Sequence, residues 1–95
     1  MKTIKLIKKV SNFAENKDIA REIRLNNIIP ALENNETITL DFKGIEATTQ
    51  SFIHALLSDV IRKYGGEILD KIFFKNCNDN VKTIIQIVVA YMQEI

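Results

Sequence analysis

The sequence predicts a small α/β domain: one mostly parallel sheet with helices packed against it. Three runs rich in β-branched and aromatic residues carry the strand half of this reading: TIKLIKKV (3–10), TITLDF (37–42) and ILDKIFF (68–74). Each is followed by a longer stretch with apolar residues at helical spacing, which carries the other half. The order is β-α-β-α-β-α, and such alternation implies βαβ units with right-handed crossovers. The 95 residues fit a single domain, 1–95. A chain of this size buries roughly two-thirds of the surface it exposes when unfolded, enough for one core without staples.

Residues 3–10 alternate in part. Ile4, Leu6 and Val10 point one way, and Lys5, Ile7 and Lys9 the other. This is the pattern of a strand with one wetter face, near a sheet edge where lysines discourage edge-to-edge pairing. Ser11 to Lys17 reads as a polar connection with Phe13 tucked back onto the core. Asp18 is the expected N-cap of the first helix. Ile19 and Ile23 share a face, and Leu25, Ile28, Ile29 and Leu32 continue the apolar stripe. Pro30 lies inside that stripe. It lacks a backbone donor and its ring clashes with the carbonyl four residues back, so a kink or break is expected around Asn26 to Ile29. Glu33-Asn34-Asn35 ends the helix in a turn.

Thr37 to Phe42 is the best strand in the chain, and Gly44 ends it. The clearest helix runs from Thr49 or Ser51 to Tyr64, with Ile53, Leu56, Leu57, Val60, Ile61 and Tyr64 as one stripe. Gly65-Gly66 is its stop signal. Ile68 to Phe74 is the third strand, and Asn76 to Asp79 a turn and cap. The last helix runs from about Asp79 to Glu94, with Val81, Ile84, Ile85, Val88 and Met92 on one face. Ile87, Val89, Ala90 and Tyr91 add more apolar surface than one stripe needs. That excess implies either broad burial or contact with another chain, including a homodimer through this helix.

Composition narrows the function classes. Lys and Arg number 13 against 12 Asp and Glu, for a net charge of +1. There is no bulk electrostatic case for nucleic acid or an anionic membrane. Cys77 is the only cysteine, which points to a reducing compartment. No apolar run approaches the ~18 residues of a membrane span. The basic start leads into charged residues rather than a signal-peptide core. A cytoplasmic protein is expected, and the bias towards Ile, Asn and Lys fits an AT-rich bacterial genome.

Little chemistry is spelled out. There is no Gly-rich phosphate loop and no CxxC or HExxH spacing, so no cofactor, metal site or catalytic residue is assigned. Cys77 reads as a small half-buried residue rather than a reactive thiol. Arg21 and Arg24 lie one helical turn apart and read as a solvated face rather than an anion-reading pair. Three residues merit following. Asp41 ends the second strand, the edge where open α/β sheets place ligands, although capping the next turn is its simpler role. Ser51 and His54 are three residues apart in a helix's first turn, where side chains meet on one face. A small enzyme or ligand-binding domain built on Asp41, Ser51 and His54 is therefore one class of reading.

The run Leu40-Asp41-Phe42-Lys43-Gly44-Ile45, followed by Gln50-Ser51-Phe52, resembles the STAS-like bacterial family of unknown function. That family is related to STAS domains, the anti-sigma-factor antagonists. Laid onto the antagonists' motif, Gly44-Ile45 matches its Gly-Val. Thr49 takes the place of its acid, Gln50 and Ser51 those of its two serines, and Phe52 that of its glycine. The resemblance implies a non-enzymatic regulatory domain that docks a protein partner through residues 44–54. Gly44, Thr48, Thr49, Gln50, Ser51 and His54 are the expected contacts. It also implies a partner of the GHKL ATPase and kinase type, and phosphorylation of Ser51.

Overall fold

The computed structural model describes residues 2–93. Among these, the elements are β1 (Lys2–Lys5), β2 (Phe13–Ala14), α1 (Lys17–Ile23), α2 (Ile29–Glu33), β3 (Ile38–Asp41), β4 (Ala47–Thr48), α3 (Gln50–Tyr64), β5 (Ile72–Lys75) and α4 (Asp79–Gln93). All strand pairs are parallel: a sheet in the order β1-β3-β5, and a separate pair β2-β4. The expected α/β class therefore holds. The radius of gyration is 12.0 Å, as a globule of this length requires.

β3 is the centre of the sheet, and all four of its residues are buried. Its register sets Ile38 beside Lys2 and Ile72, and Asp41 beside Lys5 and Lys75. Side chains alternate across a strand. Ile4, Ile38, Leu40 and Ile72 accordingly enter the same core as Leu56, Val60 and Val81 of the helices. Phe74 packs beside them, its ring centroid 6.5 Å from that of Phe42. The opposite face carries Thr3, Lys5, Phe73 and Lys75, all exposed, with Thr39 and Asp41 between them.

Several boundaries differ from expectation, each for a local reason. The first strand stops at Lys5, and Leu6–Lys8 forms a 3-10 turn. Leu6 is fully buried, and its carbonyl accepts from the N–H groups of Lys9 and Val10, so the chain turns on that anchor. The third strand begins at Ile72, because Gly66–Lys71 is also 3-10 helical. Gly65, at φ +84°, ends α3 as expected, and its carbonyl then accepts from Ile68 N–H at 3.2 Å. Asn16, not Asp18, caps α1: its Oδ1 accepts from the N–H groups of Asp18 and Ile19 at 2.9 and 3.3 Å. Phe13 is 43% exposed rather than tucked inward. It lies on β2, whose pairing with β4 turns Ala14 into the core and therefore Phe13 out.

Pro30 is accommodated without breaking the helix. Arg24–Ile28 is a π-helical turn, and Ile29 N–H reaches back five residues to Arg24 O. The longer repeat widens the helix just before the missing donor, and α2 then continues through Glu33. The same turn aims Arg24 inward, which corrects the expectation of a solvated face at this position. Arg24 is 8% exposed. It donates to the Ala55 carbonyl at 2.9 Å and pairs with Asp59 at 3.2 Å, joining the π turn to α3. Arg21 is exposed. Glu94, the expected end of the last helix, lies outside the described residues.

Candidate functional site

The connection from β3 to α3 is held at two points. At the strand end, Asp41 Oδ1 accepts from Lys43 N–H and from Asn76 Nδ2, both at 2.9 Å. This is the turn-capping role expected of it. The Asn76 bond first, then the Lys43 bond, holds the Asp41 carboxyl below its ordinary range, with Lys75 and Lys5 adding smaller attractions. Gly44 follows at φ +89°, a conformation that suits glycine. A Cβ there would sit 3.2 Å from Ile7 Cγ1, so the turn also packs against the 3-10 segment.

The second point is β4. Thr48 is buried, and its hydroxyl donates to the Ala14 carbonyl at 2.8 Å. Its N–H donates to Asn80 Oδ1 at 3.3 Å, and Asn78 Nδ2 donates to Glu46 O at 2.8 Å. These two asparagines tie the start of α4 to the segment that feeds α3. Asn78 also caps α4, its Oδ1 accepting from Val81 N–H at 2.9 Å.

The α3 cap separates two roles that the sequence left open. Thr49 is extended, at φ −104° and ψ 159°, and its Oγ1 accepts from Phe52 N–H at 3.1 Å. Thr49 is the N-cap. Phe52, directly after Ser51, is fully buried and anchors the first turn. Ser51 is thereby released from capping. It is the second residue of the helix and exposed, and its hydroxyl has no hydrogen-bond partner among the described residues. No acidic residue occupies that first turn.

Ser51 and His54 line one groove of about 470 Å³ between the first half of α3 and the second half of α4. Gln50 and Lys17 are on its polar side; Ile87 and Tyr91 form an apolar wall. Ile87 is 44% and Tyr91 62% exposed. The structure thus gathers Gln50, Ser51 and His54. It does not bring Asp41 to them: that carboxylate lines a different cavity, with Lys5 and Lys75. No hydrogen bond among the described residues joins Ser51 to His54. Gly44 belongs to the Asp41 side, Thr49 is occupied as cap, and Thr48 is buried. Lys17 was not foreseen, since nothing in its spacing links the start of α1 to Ser51. Cys77 is half-buried, and burial pushes its thiol up, with Lys82 partly offsetting this, so it stays protonated near neutrality.

The family model described as a STAS-like domain of unknown function (DUF4325) matches residues 20–82. Comparison with curated proteins and with solved structures finds no match. The matched span runs from within α1 to the first turn of α4 and contains the whole β3-to-α3 connection. On that match, the chain belongs to the STAS-like family of unknown function.

Proposed function

We propose that this domain is a non-enzymatic regulatory module that docks a protein partner at the α3–α4 groove, within and beside segment 44–54. Phosphorylation of Ser51 is the switch. The observation that carries this is the division of labour between Thr49 and Ser51. Thr49 caps the helix, so Ser51 stands exposed at a helix start with no structural duty.

The physics of a modification there is favourable to the domain and unfavourable to an interface. A phosphoryl group brings nearly two negative charges and three acceptors at neutral pH. The free N–H groups and dipole of the first turn accommodate it, and Lys17 lines the same groove. The fold keeps its shape. A partner seated on neutral Gln50 and Ser51 and on apolar Ile87 and Tyr91 would instead have to desolvate the new charge. Kinship with the anti-sigma-factor antagonists makes a GHKL-type ATPase the proposed partner class.

The test is capture of partners by wild-type, Ser51→Ala and Ser51→Asp proteins, with mass spectrometry of the hydroxyl residues. Wild type and Ser51→Ala are expected to recover the same GHKL-type protein and Ser51→Asp to lose it. Phosphate is expected on Ser51. Identical recovery by all three, with no modification on residues 48–51, overturns the proposal.

A further inference from the structure

Four lysines from four separate segments meet at the C-terminal edge of the main sheet. Lys5 ends β1, Lys8 lies in the 3-10 turn, Lys43 follows β3, and Lys75 ends β5. The parallel register sets Lys5 and Lys75 on either side of Asp41. In-register neighbours leave a sheet on the same face, so these three side chains project together. Lys8 and Lys43 complete the rim. All four lysines are exposed and line one cavity of about 560 Å³ with Asp41 and Asn76.

This charge is unbalanced. Asp41 is the one carboxylate lining the cavity, and its Oδ1 is engaged by Lys43 N–H and Asn76 Nδ2. Among the described residues, none of the four lysines makes an ion pair; both ion pairs found belong to Asp59. Like charges gathered around one concavity repel one another, and the field they make attracts a counter-anion. The location is also the edge at which open α/β sheets hold ligands. Ammonium groups act as point charges towards phosphate oxygens. The stems of all four lysines line this one cavity, so the ammonium groups at their flexible ends can converge on a compact, multiply charged anion.

We propose that this cavity binds a compact oligophosphate anion, held by Lys5, Lys8, Lys43 and Lys75. The site is separate from the Ser51 groove and does not depend on the role proposed for it.

The full chain, isotopically labelled, is titrated with sodium tripolyphosphate at constant ionic strength and followed by amide NMR shifts. A parallel titration uses a hexaglutamate peptide. Saturating shifts centred on Lys5, Lys43, Gly44 and Asn76 are expected. The double variants Lys5→Gln/Lys75→Gln and Lys8→Gln/Lys43→Gln are each expected to weaken binding at least tenfold. Lys63→Gln, an exposed lysine on α3 beside the Tyr64 ring, is expected to leave affinity unchanged. Any of three results overturns the proposal: linear shifts spread over all lysines, unchanged affinity in both double variants, or saturable binding of hexaglutamate without tripolyphosphate.

Discussion

The two ends of the β3-to-α3 connection treat polar groups in opposite ways. At residues 41–44 the polar groups are committed: Asp41 is 7% exposed and holds two donors, and Gly44 is pressed against Ile7. At residues 49–54 one hydroxyl does the structural work and the rest are left outside. Thr49 caps the helix, while Gln50, Ser51 and His54 are exposed. The contrast shows that a run of polar residues at a strand-to-helix junction is not one feature. Part of it secures the chain, and only the remainder forms surface that is free to be read.

Four substitutions sharpen or break that contrast. Asp41→Ala is expected to cost the most, about 1–3 kcal/mol, because it strips acceptors from two donors. Its pH dependence has a definite sign. The folded carboxyl is held below its ordinary value of 3.8. Its ionisation therefore stabilises the fold above that value, and the benefit is lost as pH falls through the lower folded pKa. Denaturation of wild type and Asp41→Ala should show a gap that is constant near neutrality and narrows below pH 3.8. A gap independent of pH would show that the charge contributes nothing.

Gly44→Ala is next, at about 1–2 kcal/mol, from the left-handed backbone and the close approach to Ile7. A thermal melt that does not move would mean the turn relaxes freely. Thr49→Ala should cost about 1 kcal/mol in chemical denaturation, the worth of an N-cap. Ser51→Ala should be smallest, within ~0.5 kcal/mol of wild type, as for an exposed residue without a partner. If Ser51→Ala proves the more damaging of these two, the assignment of cap and free hydroxyl is reversed, and the proposed switch loses its footing.

Much of this architecture was legible. Leu40 and Phe42 mark a buried strand, the Ile53-to-Tyr64 stripe marks a helix, and Gly65 marks its end, because periodicity and stop signals are local properties. Pro30 announced an irregularity, although the π turn that absorbs it depends on where Arg24 finds Ala55 and Asp59. The β2-β4 pair was invisible: two residues carry no period, and Ala14 and Thr48 become partners only when the chain brings them together. Phe13 shows the consequence, an apolar side chain left outside because of a pairing that its neighbours in sequence do not encode. For the same reason the spacing of Ser51 and His54 suggested their shared groove, while Lys17 and Tyr91 entered it from helices far away in the chain.

Charge shows most clearly where local information ends. A net charge of +1 gave no reason to expect an anion site. Composition sums over the whole chain, whereas a field depends on where the charges lie. Local sequence was sufficient for the α/β class, the central strand, the long helices and the family motif, because each depends on residues a few positions apart. Folding was needed to set Lys5 and Lys75 beside Asp41, to choose Thr49 over Ser51 as cap, and to join α3 and α4 into one groove. Those arrangements rest on register and packing between distant segments, and the cost of bringing such segments together is met only by the fold as a whole.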